Sequence, residues 1–134
     1  MAGLATGPPR VLCAMTAPAY TILLVDDDED IRDLTAEILD TNGYRVLPAG
    51  DGDEAMRLLG QEHVDVLFTD IAMPGISGVE LAERAKLLRP DLKVLFMTGY
   101  HSRAAEAERL GKLVFKPFAQ STVLAALAEI LAAE

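Results

Sequence analysis

The chain has 134 residues, 51% of them apolar and 25% charged, with a net charge of −9. That length suffices for one domain with its own core, and an acidic balance with no Lys/Arg cluster argues against direct binding to nucleic acid. No run approaches the ~20 apolar residues of a membrane span, and the single cysteine, Cys13, can form no internal disulfide, in keeping with a reducing cytoplasm. Residues 1–19 carry one basic residue, Arg10, and are interrupted by Pro8, Pro9 and Pro18, a poor signal peptide. They read as a flexible tail, with Met15 as a second candidate start, ahead of a domain over 20–134.

From Tyr20 onward, short apolar runs alternate with amphipathic stretches, the pattern of βα units around a parallel sheet. Ile22–Val25 is a buried-strand run that ends in Asp26-Asp27-Asp28-Glu29-Asp30, acids of the kind a helix N-terminus favours. Ile31, Leu34, Ile38 and Leu39 then recur at helical spacing, and Asn42-Gly43 stops that helix. Arg45–Leu47 is a short second strand. Asp51–Leu59 follows as a helix that turns Ala55, Leu58 and Leu59 inward. Val64–Thr69 is the strongest strand and delivers Asp70. Pro74-Gly75 and Ser77-Gly78 mark a loop, followed by a helix with Val79, Leu81, Ala82, Ala85 and Leu88 inward, ended by Pro90. Lys93–Met97 is a fourth strand reaching Thr98-Gly99, and residues 101–110 allow one or two helical turns. Leu113–Phe115 is a fifth strand closed by Lys116-Pro117. Val123, Leu124, Leu127, Ile130 and Leu131 form the apolar stripe of a last helix, mostly core packing. The sum is one doubly wound α/β domain without internal repeats.

In such sheets the functional crevice lies at the carboxyl ends of the strands. Strand one ends in Asp26 and Asp27, strand three in Asp70, strand four in Thr98 and strand five in Lys116. Three carboxylates in one crevice repel one another and call for a cation; a hard divalent ion such as Mg2+ suits oxygen ligands. With Mg2+ and the Lys116 ammonium the local charge sums to zero, which suits a site that will receive a phosphoryl group. Asp70 is then the nucleophile that forms an aspartyl phosphate, and Asp26 and Asp27 hold the metal, with the backbone carbonyl of Ala72 completing the set. Thr98 donates its hydroxyl to a phosphoryl oxygen and Lys116 binds another. Lys116-Pro117 is a candidate cis bond. His63 and His101 read as surface or capping residues.

The segments ILLVDDDEDI (22–31), FTDIAMPGISGVEL around Asp70, VLFMTG ending at Gly99 and FKPF around Lys116 resemble the receiver domain of two-component response regulators, over about residues 20–134. The resemblance implies a flavodoxin-like sheet of five parallel strands in the order 2-1-3-4-5 with helices on both faces. It implies phosphotransfer from a histidine kinase or histidine phosphotransfer protein, Mg2+ (with Mn2+ as substitute), and self-catalysed hydrolysis. Such a protein acts on no substrate but itself and hands its signal to a protein target, as a monomer or weak dimer in the cytoplasm. Two departures stand out. The stretch from Thr98 to Lys116 is about one turn short, so the fourth helix is short or irregular. The position of the family's switch aromatic holds Leu113, and Tyr100, in a Phe-x-Thr-Gly-Tyr string that resembles a receiver subgroup, is the substitute candidate.

Three other readings compete. A stand-alone regulator and a receiver fragment of a hybrid histidine kinase look alike in sequence. A haloacid-dehalogenase-like phosphatase also uses an aspartyl nucleophile, a Thr and a Lys. It requires a further acidic pair after the lysine, where only Glu129 and Glu134 stand, and it leaves Asp70 without a role. A nucleotide-binding module would need a Gly/Ser/Thr-rich loop where this chain has five acids.

Overall fold

The computed structural model describes residues 19–99 and 104–132, of Ala104 the backbone alone. Five strands alternate with five helices: β1 Thr21–Val25, α1 Glu29–Thr41, β2 Arg45–Ala49, α2 Gly52–Gln61, β3 Val66–Asp70, α3 Gly78–Leu88, β4 Lys93–Thr98, α4 Ala104–Glu108, β5 Lys112–Phe115 and α5 Gln120–Ala132. The sheet runs β2-β1-β3-β4-β5, all parallel, as expected for a flavodoxin-like fold. The expected tail, Cys13, Tyr100 and His101 lie outside the described residues.

Every residue of β1 and of β3 is buried, which explains why both read as unbroken apolar runs rather than alternating ones. The pleat divides them. Ile22, Leu24, Phe68, Leu95 and Met97 face one way, into a core with Leu39 of α1 and Val123, Ala126 and Leu127 of α5. Leu23, Val25, Leu67 and Phe96 face the other way, against Ala55 and Leu59 of α2 and Val79, Leu81, Ala82 and Ala85 of α3. With ~25 cal/mol gained per Å2 of apolar surface removed from water, these two cores hold the sheet rigid from both sides.

The helices begin where short polar side chains satisfy free amides. Asp28 accepts from Ile31 N at 3.1 Å and Asp51 from Glu54 N at 2.8 Å. Ser77 and Glu80 form a reciprocal capping box at α3. Gly43 ends the α1 turn at φ 93°.

Three details differ from the sequence pattern. Strand β2 continues to Ala49, through Pro48, because it is an edge strand on which the missing amide costs no ladder bond. Val64 is buried but precedes β3, which starts at Val66. Leu34 and Leu88 keep helical spacing yet are 60% and 51% exposed. Leu34 lines a groove of about 400 Å3 between α1 and the Pro117-Phe118 turn, and Leu88 is the final residue of α3. Helix α4 is a five-residue helix, in line with the short segment expected there.

Gly78 starts α3 with its backbone against that of Asp70 and Ile71; its amide donates to Ile71 O at 2.8 Å, and a Cβ there would collide with the Asp70 carbonyl. A side chain at 78 must push the helix away from the strand that carries Asp70. Gly78→Ala is expected to destabilise the fold by roughly 1–3 kcal/mol, as overpacking against backbone does. Gly60→Ala, in a helix with nothing near the added methyl, is expected to stabilise by up to ~1 kcal/mol. Urea midpoints of the two variants check both signs.

Candidate functional site

Strand register assembles the crevice. Val25 lies opposite Thr69, so the next residues of β1 and β3 are Asp26 and Asp70, side by side at the point where the strand order reverses. Thr98 lies opposite Phe115, so the next residue of β5 is Lys116, whose amide donates to Thr98 O at 2.9 Å. The Lys116–Pro117 bond is cis, as expected. The ammonium of Lys116 reaches across the crevice and donates to Asp26 Oδ2 at 3.1 Å and Asp70 Oδ2 at 2.8 Å. The other oxygens of the two acids bind main chain: Asp26 Oδ1 accepts from Asp28 N at 3.0 Å, and Asp70 Oδ1 from Ala72 N at 3.1 Å.

Asp26 is wholly buried, Asp70 is 6% exposed, and Asp27 stands exposed at the mouth. Burial in the crevice pushes the Asp70 carboxyl above its ordinary pKa, and the charge of Asp26 adds to that; Lys116 and the Ala72 amide pull the other way without offsetting it. Burial pulls the Lys116 ammonium down, but hydrogen bonds and charge from both Asp70 and Asp26 outweigh it, and its pKa is raised. The two directions are compatible: one ammonium serves two carboxylates, so Lys116 gains from both, whereas Asp70 shares its cation and faces a like charge.

One carboxylate oxygen from each of Asp26, Asp27 and Asp70 lies within 4.8 Å of the others. Three hard oxygen donors, two held by buried strand ends and one open to water, fit a divalent ion of the Mg2+ type, which binds through carboxylates and keeps several waters. Such an ion would also supply the positive charge that Lys116 alone does not.

Every expected site residue within the described part falls at this crevice except Leu113. Thr98 is buried at the end of β4, and the exposed Ala72 contributes its amide to Asp70. Leu113 is half-buried in β5 and packs on the core beside α2 and α3. His63 sits on the surface, 2.9 Å from Asp65, away from the crevice. Asp28 is a helix cap, as the acid run suggested. Two residues at the site escaped the sequence reading. One is Gly78. The other is Arg32, whose guanidinium donates to the Asp26 carbonyl at 2.7 Å; a cation in the first turn of a helix is the signal that would have drawn notice.

The doubly wound sheet with three acids and a lysine at its switch point defines a class, and comparison with known proteins names it. Residues 22–128 match the family model of the response regulator receiver domain. The chain is 41% identical over 101 residues to the response regulator receiver protein CpdR of Brucella abortus, covering 72% of this chain and 84% of that one. It is 34% identical to sporulation initiation phosphotransferase F of Bacillus subtilis, covering 72% and 82%. Among solved structures, the receiver domain protein of Methanospirillum hungatei superposes with a TM-score of 0.79 at 33% identity, covering 84% of this chain and 93% of that one. The response regulator TrrA of Thermotoga maritima, solved in complex with Mg(2+)-BeF, gives 0.78 at 30% identity, covering 83% and 98%. The chain belongs to the receiver-domain family of two-component response regulators. Receiver domains accept a phosphoryl group from histidine kinases or phosphotransfer proteins and bind Mg2+ at an acidic pocket, and the phosphatase reading is not favoured. None of the described helices is long and apolar enough to cross a membrane.

A carboxyl whose folded pKa is raised favours the fold when protonated, and that contribution is lost as pH rises through the folded value. At pH 7 without metal, ionised Asp70 therefore works against folding. Asp70→Asn is expected to melt above the wild type at pH 7 in EDTA, by a gap that closes toward acid pH as Asp70 takes up its proton. Added Mg2+ is expected to raise the wild-type melting point more than that of the variant. Calorimetric melts against pH check both; a wild type that melts higher in EDTA at pH 7 contradicts this charge balance.

Proposed function

We propose that Asp70 is the phosphoryl acceptor of this chain and that Asp26, Asp27 and Asp70, with the carbonyl of Ala72, hold its Mg2+, Mn2+ serving as a substitute. The observation that supports this reading is the bridge of Lys116 to both Asp70 and Asp26, which sets a partly buried ammonium beside the oxygens that would meet a phosphoryl group. An oxygen of the Asp70 carboxylate attacks phosphorus, the bond from phosphorus to the donor nitrogen breaks, and the donor histidine leaves as neutral imidazole after taking a proton. A divalent ion held by these acids would offset phosphoryl charge. Lys116 takes a second phosphoryl oxygen as a point charge, and the Thr98 hydroxyl donates to a third. Hydrolysis reverses the economy: water attacks phosphorus, the bond to Asp70 breaks, and the carboxylate and orthophosphate separate.

The donor is a histidine kinase or histidine phosphotransfer protein. The apolar groove of Ile31, Leu34, Ile38, Pro117 and Phe118 opens beside Lys116 and suits the seating of a donor domain at the crevice. The domain catalyses only its own phosphorylation and dephosphorylation, in the cytoplasm, and its output is altered affinity for a protein target by a shift between two states. A stand-alone regulator and a domain of a hybrid kinase share this chemistry. Tyr100 and Leu113 are the switch candidates.

Incubation with acetyl phosphate and Mg2+ is expected to add one phosphoryl mass to the wild type and none to Asp70→Asn, read by intact mass spectrometry. Lys116→Ala is expected to slow the gain about 10²-fold, the order of loss when a charge-stabilising donor is removed. Thr98→Ala is expected to slow it roughly tenfold, since a hydrogen bond to a charged group contributes ~1.5 kcal/mol. Equal phosphorylation of Asp70→Asn would sink the assignment.

A further inference from the structure

Arg32 is the fourth residue of α1, where the positive end of the helix disfavours a cation. Its guanidinium turns back over the β1–α1 loop, and Nη1 donates to the backbone carbonyl of Asp26 at 2.7 Å. The same Nη1 stands 3.3 Å from where a Cβ on Gly50 would be, so the bare backbone at position 50 leaves the space that the guanidinium fills. The amide of Asp26 donates to Ala49 O at 3.2 Å, and the amide of Gly50 is held by Glu54 Oε1 at 2.9 Å. The acid loop and the β2–α2 turn thus meet at the main chain of Asp26. Lys116 does not supply this restraint, because it touches the carboxylate and not the main chain.

We propose that Arg32 is a positioning residue for divalent-cation binding: by fixing the Asp26 carbonyl against the β2–α2 turn, it holds the Asp26–Asp28 main chain so that the Asp26 and Asp27 carboxylates stay turned toward Asp70. The proposal rests on the reading of Asp26, Asp27 and Asp70 as the Mg2+ site. Its sign separates it from plain electrostatics. Removal of a cation beside an acidic site strengthens the attraction for Mg2+ by Coulomb's law. Loss of the restraint weakens binding, because three mutually repelling carboxylates then splay and must be gathered again when the ion arrives.

The test is titration of MgCl2 into the full chain, followed by two-dimensional amide NMR at Asp28, whose N–H donates to Asp26 Oδ1. Arg32→Ala and Arg32→Gln are each expected to bind Mg2+ about tenfold more weakly than the wild type, the order of loss when a group that orients a metal ligand is removed. Arg32→Lys, which keeps the charge and a donor, is expected to recover part of that loss. Binding by Arg32→Ala within about twofold of the wild type, or tighter, overturns the proposal. Should Arg32→Ala fail to fold, Arg32→Gln decides alone by the same criterion. A wild type with no saturable Mg2+ response overturns the metal reading of the three acids and the positioning role with it, a failure distinct from a wild type that binds and an arginine that does not matter.

Discussion

The rest of this structure depends on the mutual repulsion of Asp26, Asp27 and Asp70. Their oxygens lie within 4.8 Å of one another, and two of the three side chains are almost wholly removed from water. An ionised carboxylate at such depth is costly unless paired and hydrogen-bonded. The chain meets that cost with main-chain amides from Asp28 and Ala72 and with a single ammonium, from Lys116, shared between two acids. The compensation is incomplete, as the raised pKa of Asp70 shows, and an incompletely compensated anionic crevice is one that a divalent cation suits.

Such charges can be held so close only on a frame that does not yield. Parallel strands covered on both faces provide it: the pleat sends Ile22 and Leu24 into one core and Leu23 and Val25 into the other, so β1 cannot slip by one residue without exchanging its faces. Register then does the positioning. Because Val25 faces Thr69 and Thr98 faces Phe115, the acids and the lysine emerge at one edge of the sheet. Gly78 serves the same end from below, where α3 lies so near Asp70 that no Cβ fits.

This division explains what could be read from the sequence. The strand runs, their polar ends and the order Asp26-Asp27, Asp70, Thr98, Lys116 were legible, because burial on both faces writes unbroken apolar runs and the candidate site residues are those that end them. The extent of β2 was not, since Pro48 is tolerated only on an edge and edge position is a property of the assembled sheet. Leu34 and Leu88 have the spacing of core residues, but spacing does not reveal where a helix overhangs its sheet. Arg32 and Gly78 were missed for a related reason: each acts on a backbone carbonyl distant from its own motif, and backbone carbonyls have no sequence signature.

The same physics bears on how a signal leaves the crevice. Lys116 and Thr98 are the ends of β5 and β4, joined through Lys116 N and Thr98 O, so whatever recruits the ammonium of one or the hydroxyl of the other acts on a single hydrogen-bonded unit. The Lys116 ammonium ties that unit to Asp26 and Asp70. On the proposed reading, a phosphoryl group on Asp70 turns one Lys116 contact from a carboxylate to a phosphoryl oxygen and adds a claim on Thr98, which favours a different placement of the β4 and β5 ends. A ligand shifts a two-state equilibrium only by its differential interaction with the two states. Here that difference is concentrated on the strands that flank a five-residue α4 and carry a leucine, Leu113, packed in the core. The aliphatic side chain has no ring to swing between buried and exposed positions, so on that reading the ends of β4 and β5 themselves would pass the movement on.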